Sequence, residues 1–203
     1  MTQKIRPIGI VKSVQIQPQG MKVKTPTGVI YDVSRRKVVA QLGITPEGVV
    51  AKGKDGKPIL DIHHKLHPNT HHRPGNEISI GFTAHYKAMR YRFGDHMVLG
   101  SAGENIIIKF SDEVWLDALG KHLLFENPVS GGSTLLDVNG VAKPCVPFSH
   151  FAATSPYTKL PSAKLKEVVR FLDNGRRGFL LSLNASQEKA LIHPGDQVFV
   201  VRI

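Results

Sequence analysis

Turn-forming residues recur along this chain at intervals that leave room for short strands and little else. Pro18-Gln19-Gly20, Thr25-Pro26-Thr27-Gly28, Lys54-Asp55-Gly56-Lys57-Pro58 and His193-Pro194-Gly195-Asp196 each combine the fixed φ of proline with the freedom of glycine. Between them apolar residues fall on even spacing, with Ile8, Ile10, Val14 and Ile16 in one run and Val29, Tyr31 and Val33 in the next. Side chains alternate across a strand, so this spacing marks strands with one buried face. Asn139-Gly140, set between Leu135-Leu136-Asp137-Val138 and Val141, predicts a tight hairpin. Residues 178–183 and 197–202 read as two further strands. The fold class that follows is mainly β, an antiparallel bent sheet or β-barrel with a few peripheral α-helices.

The clearest helix begins after Pro161, where Leu165, Val168, Val169 and Leu172 lie on one face. Ser162 is its expected N-cap, and Asn174-Gly175 its left-handed stop. A second helix is expected over Ser111–Leu119, with Ser111 as cap, Asp112 and Glu113 in the first turn, and Gly120 closing it. No repeat, low-complexity tract or linker divides the chain, so residues 1–203 read as a single domain.

Cys145 is the one cysteine, which excludes an intramolecular disulfide. Residues Met1 to Ser13 lack the basic head, apolar run and small-residue cleavage site of a secretory signal, so a cytoplasmic location is expected. Apolar runs such as Val198–Val201 fall far short of the ~20 residues a membrane helix needs, and no membrane association is expected. Lys and Arg number 27 against 16 acids, a formal charge of +11 with neutral histidines. The excess is uneven: residues 1–60 carry 11 bases and 3 acids, whereas residues 111–160 carry 3 bases and 5 acids. Such a basic stretch suits nucleic acid, a membrane surface or an anionic small molecule. Its densest part, Ser34-Arg35-Arg36-Lys37, has only Tyr31 nearby for stacking. It reads as a solvated turn, and an anionic small molecule is favoured over nucleic acid.

Several stretches carry residues able to do chemistry. Cys145 lies in Lys143-Pro144-Cys145-Val146-Pro147-Phe148, stiffened by prolines on both sides. Its thiol is either a small buried hydrophobe or a reactive, metal-ligating group whose pKa Lys143 or a histidine lowers. Half of the ten histidines fall within Asp61-Ile62-His63-His64-Lys65-Leu66-His67-Pro68-Asn69-Thr70-His71-His72, read as an extended loop. It lacks the helical zinc pattern, leaving a solvent-exposed loop, one or two histidines in a pocket, or a metal-dependent hydrolase as readings. Gly100-Ser101-Ala102-Gly103-Glu104-Asn105 is a glycine-rich turn leading into the strand Ile106–Ile108. It is neither a P-loop nor a dinucleotide fingerprint.

The order Gly103-Glu104-Asn105-Ile106, Pro144-Cys145, Arg177-Gly178-Phe179 and Pro194-Gly195-Asp196-Gln197-Val198 resembles the MOSC family, named for the C-terminal domain of molybdenum cofactor sulfurases. The likeness is to stand-alone members of bacterial type. Gly9–Val14, Leu42-Gly43-Ile44 with Gly48, and the loop at Asp61–His67 extend it toward the N-terminus. It implies a closed β-barrel of the MOSC and pyruvate kinase type with peripheral helices. It further implies that Cys145 carries sulfur as a persulfide, received from a pyridoxal-phosphate cysteine desulfurase, or ligates molybdenum in the molybdenum cofactor. A reductase of this kind would need an electron-donor protein. His64, His67, His85, Glu104, Asn105 and Arg177 are the residues expected to bind the cofactor around it, with Tyr86 beside His85 facing the same cavity.

This chain departs from the family pattern in two places. Ala142 stands where many relatives have arginine, and His67-Pro68-Asn69-Thr70 stands where many have His-Gly-Gly-Pro. The competing expectation is a non-catalytic binding module whose basic N-terminal face takes nucleic acid or another acidic partner.

Overall fold

The computed structural model describes residues 3–153 and 160–203. Its first strands are β1 (Gln3–Ile16), β2 (Lys22–Thr25), β3 (Gly28–Tyr31), β4 (Lys37–Val39), β5 (Leu42–Thr45), β6 (Gly48–Lys52) and β7 (Pro58–Leu60). There follow β8 (Ile78–Phe82), α1 (Thr83–Phe93), β9 (Ile106–Lys109), α2 (Leu116–Leu119), β10 (His122–Glu126) and β11 (Ser133–Val141). The chain ends with α3 (Val146–Ala153), α4 (Ser162–Leu172), β12 (Phe179–Leu183), β13 (Ala190–Ile192) and β14 (Gln197–Arg202).

Seven strands close into a barrel in the order β1-β14-β10-β11-β12-β8-β9, with β9 returning to β1. Closure leaves no free edge among these strands. Every pair in the ring is antiparallel except β8 with β9. Parallel neighbours need a crossover, and α1 with the segment after it supplies one. A four-stranded sheet, β13-β5-β6-β7, packs Leu42, Ile44, Val49 and Ile192 against the apolar residues of the barrel strands. A second apolar cluster joins the β2–β3 hairpin to α1, α3 and α4 through Met21, Tyr31, Tyr86, Met89, Phe148 and Leu172.

Long β1 is bent at three irregularities in its pairing, between Lys4 and Arg6, Pro7 and Gly9, and Val11 and Ser13. Each bulge shifts the alternation by one residue. For this reason Ile10 is 48% exposed while Val11, at 2%, takes the core position that strict even spacing would have given to Ile10.

Three expected local structures differ in the fold. Asn139-Gly140 is not a hairpin turn: β11 runs through it, and Gly140 sits at a bulge against β12. There the Asn139 amide donates to the Gly75 carbonyl and the Ser182 hydroxyl, at 3.0 and 3.1 Å. The helix expected over Ser111–Leu119 shrinks to Leu116–Leu119. Its intended cap region is drawn elsewhere, since the Val114 N–H donates to His85 Nε2 and Glu113 pairs with Arg176 at 2.8 Å. The helix after Pro161 forms as expected, but Pro161 occupies the N-cap position and Ser162 makes no capping bond. It ends through Asn174 and Gly175, both at positive φ. Helices α1 and α3 had no sequence signal, because α1 buries His85 and Tyr86 among its apolar residues and α3 spans only 8 residues.

Gly9 is where β1 depends most on having no side chain. Its φ is +127°, and a Cβ would overlap the carbonyl oxygen of Lys109 on β9. Gly9→Ala is therefore expected to cost about 2–4 kcal/mol of stability, against about 1 kcal/mol for a left-handed glycine in open space. Gly56→Ala is the control, at φ +81° with nothing within 4 Å. Chemical denaturation of the two variants checks the difference.

Candidate functional site

The segment Gly100–Asn105 delivers its polar residues to the junction between the barrel and the outer helices, where water does not reach. Asn105 is 2% exposed, so its amide must find partners inside the protein. Its Oδ1 accepts from the Ser79 N–H and hydroxyl, both at 3.0 Å, and its Nδ2 donates to Asp61 Oδ2 at 3.0 Å. Asp61 is fully buried and also accepts from the backbone N–H groups of Gln17 and His63. Gln15 and Gln17, at the end of β1, hold the glycine turn from the other side. Gln15 Nε2 donates to the carbonyls of Gly100 and Glu104, and Gln17 Nε2 to that of Gly103.

Glu104 lies one residue nearer the helices. Tyr86 on α1 donates its hydroxyl to Glu104 Oε2 at 2.6 Å and accepts from the Ala102 N–H at 3.0 Å. Oε1 is buried without a hydrogen-bond partner. The space for this carboxyl exists because its neighbours are glycines. A Cβ on Gly81 would overlap Oε1, and one on Gly178 would come within 3.0 Å of Cγ. Burial is the largest influence on Glu104 and raises its pKa to about 7, against which the Tyr86 bond and then Arg177 and Arg36 act.

Cys145 immediately precedes α3, partly exposed, and its carbonyl accepts from the Ser149 N–H and hydroxyl at 2.9 and 3.0 Å. It packs against the apolar cluster that holds Tyr31, whose ring centroid is 5.2 Å from that of Phe148 and 5.6 Å from that of Phe151. Burial pushes the Tyr31 phenol upward, while Arg177 acts to lower it and Cys145 and Glu104 to raise it. Arg177 donates to the Lys143 carbonyl at 3.3 Å, lies over the Phe148 ring at 5.6 Å, and keeps a buried Nε without a partner. Arg177, Cys145 and Glu104 thus all act electrostatically on Tyr31.

The histidines are placed differently. His64 Nδ1 accepts from the Leu66 N–H at 3.1 Å. His67 Nδ1 accepts from the Asn69 N–H, and its Nε2 meets the Pro18 carbonyl at 3.1 Å. These bonds shape the loop and tie it to Pro18 beyond the end of β1, and they involve neither Cys145 nor Arg177. Burial lowers the His64 pKa. His85 is fully buried against Phe82, Trp115 and Phe179, and burial brings its pKa down to about 4, so it is neutral at physiological pH. Adjacent Tyr86 points instead to Glu104. Among the described residues no group of three or more His, Cys, Asp and Glu side chains is placed to hold a metal ion. Within the basic cluster, Arg35 pairs with Asp32 and Arg36 donates to Gln15 Oε1 at 3.2 Å.

Gln15, Gln17 and Tyr31 are the contributors that sequence reading missed. Glutamines within an apolar strand carry no distinctive pattern, and their role emerges only when the strand end meets the glycine turn.

No protein-family model matches this chain, and no curated protein sequence does. Solved structures do. YuaD protein from Bacillus subtilis superposes with a TM-score of 0.53 at 17% identity, over 100% of this chain and 97% of that one. YiiM from Escherichia coli, a MOSC-domain protein, superposes with a TM-score of 0.50 at 14% identity, over 82% of this chain and 65% of that one. The architecture is a MOSC-like closed barrel. At these identities the likeness is one of fold.

The buried carboxyl makes stability depend on pH. Glu104 titrates near the ordinary carboxyl value of 4.5 when unfolded and at about 7 when folded. The native state therefore holds the proton more tightly, and the stability this confers is complete below the unfolded value and is lost as pH rises through about 7. Glu104→Gln removes this dependence. Relative to that variant, the native protein should lose on the order of 3 kcal/mol between acidic and mildly alkaline pH. Urea unfolding of both proteins across the range reads the difference.

Proposed function

We propose that this protein is a MOSC-type handler of sulfur or of a molybdenum-pterin centre, with Cys145 as the working atom. The observation that carries the reading is the setting of that thiol. Cys145 is partly exposed, its backbone is held by the Ser149 bonds at the start of α3, and it acts electrostatically on the same Tyr31 that Arg177 and the buried Glu104 do. A thiolate is both the nucleophile for sulfur transfer and a soft ligand for molybdenum.

As a sulfur carrier, the Cys145 thiolate attacks the outer sulfur of a persulfide on a pyridoxal-phosphate cysteine desulfurase. The donor's S–S bond breaks, its own thiolate leaves, and a new S–S bond forms on Cys145. The residues also fit a molybdenum-pterin group. Cys145 would be its sulfur ligand, and the unpartnered Arg177 Nε is a donor for an anionic substituent. When bound, that group supplies two-electron reduction chemistry, with electrons from a partner protein. Glu104, titrating at about 7, is able to hold or release a proton near the site at neutral pH.

The test is intact mass and molybdenum content of anaerobically purified protein, incubated in turn with a desulfurase and with the pterin cofactor. Native protein is expected to gain one sulfur atom or stoichiometric molybdenum, and Cys145→Ser neither, with unchanged thermal unfolding. Equal gain by both proteins, or none by the native protein under either condition, would remove Cys145 from the function.

A further inference from the structure

We propose that the cleft between α1 and the paired strands β1 and β9 binds the phosphate or diphosphate group of a small molecule. The proposal does not depend on the role of Cys145, which is not among the cleft's lining residues. The cleft has a volume of about 510 Å³, and Lys12, Lys87, Arg90 and Lys109 line it together with Thr83 and Tyr91. That volume is in the usual range for small-molecule sites. Asp95 is the single acid in the lining, against four bases.

Two elements converge to make this concentration of charge. On α1, Thr83, Lys87 and Tyr91 follow one another at four-residue intervals and Arg90 lies three residues after Lys87, so the four share a helix face. That face is set over the barrel by the Thr83 hydroxyl, which donates to the Phe110 carbonyl at 2.9 Å and accepts from its N–H at 3.1 Å. On the opposite wall Lys109 ends β9, and Lys12 is the extra residue in the β1 bulge between Val11 and Ser13. A bulge re-aims a side chain, and here it leaves Lys12 on the cleft while Val11 and Val14 stay buried.

These bases are also unspent. Elsewhere Lys4 pairs with Glu126, Arg35 with Asp32 and Arg176 with Glu113. None of the four cleft bases has an ion-pair partner among the described residues. Four like charges gathered in one site with a single acid repel one another, and a bound anion relieves that repulsion. A guanidinium with three ammonium groups suits phosphate oxygens, the arginine as a planar fork and the lysines as point charges. Tyr91, 96% exposed, adds a free hydroxyl and ring face. The cleft's floor is fixed, because Tyr86 lines it while its hydroxyl is held by Glu104.

Calorimetric titration with inorganic pyrophosphate at physiological salt tests the site. Native protein is expected to bind, and the double variant Lys87→Glu/Arg90→Glu to bind at least about tenfold more weakly. Lys12→Gln/Lys109→Gln, which alters the opposite wall, should weaken binding in the same direction. Lys52→Glu/Lys54→Glu, with the same change in net charge at the exposed end of β6 and in the connection to β7, should change it less than about twofold. Thermal unfolding confirms that each variant folds. The proposal is overturned by absence of binding to native protein, or by equal losses in the cleft and control variants. It is also overturned if a thymidine oligonucleotide binds more tightly than pyrophosphate through the same residues, since the cleft would then serve nucleic acid.

Discussion

Burying the amide of Asn105 fixes much of what surrounds it. An unpaired buried amide costs about 1–3 kcal/mol, and Asn105 is given partners from several elements. Ser79 brings β8 to it and Asp61 brings the histidine loop. The Gln15 N–H on β1 donates to its backbone carbonyl at 2.8 Å. One residue, through its side chain and its backbone carbonyl, thereby ties three separate parts of the chain to the start of β9. Because Glu104 is its immediate neighbour, the same knot sets where that carboxyl meets Tyr86, and so where the outer helices sit against the barrel. Cys145 inherits its position from this layer through α3 and the Tyr31 cluster.

The electrostatics divide along the same boundary. Inside, burial disfavours the charged forms of two groups: it lifts Glu104 to about 7 and brings His85 down to about 4. Outside, the excess of bases has few acids to meet, and α1 separates the two regimes. Its buried side carries His85, Tyr86 and Met89, whereas its exposed side carries Lys87 and Arg90 over the cleft. The net charge of +11 is thus focused in part by the fold, not merely spread over it. Within the histidine loop, Nδ1 of His64 and both ring nitrogens of His67 are engaged with backbone groups.

Much of the barrel was legible because strands and turns are short-range features. The strand at 197–202, the turn before it and the helix after Pro161 all formed where periodicity put them. Bulges were not legible, since the phase shift that trades Ile10 for Val11, and the bulge that absorbs Asn139-Gly140, depend on the partner strand. Helix α1 escaped because its buried face is partly polar, and a polar residue is buried only when a tertiary partner exists for it. The same limit applies to the candidate site. Cys145, Glu104, Asn105 and Arg177 stood out as residue types in a familiar order, whereas Gln15, Gln17 and Tyr31 acquire significance only from contacts distant in sequence.

Together these features describe a MOSC-like barrel with a buried polar knot under its outer helices, a buried carboxyl that titrates near neutrality, and a partly exposed Cys145 at the start of α3. The most direct measurement of that account is an anaerobic crystal structure of the protein after exposure to a cysteine desulfurase or the pterin cofactor. The account predicts additional density bonded to Cys145 Sγ, with Arg177 turned to the bound group and the Glu104–Tyr86 hydrogen bond in place. An unmodified Cys145 Sγ, or a ligand bound elsewhere with no contact to Cys145 or Arg177, would contradict it.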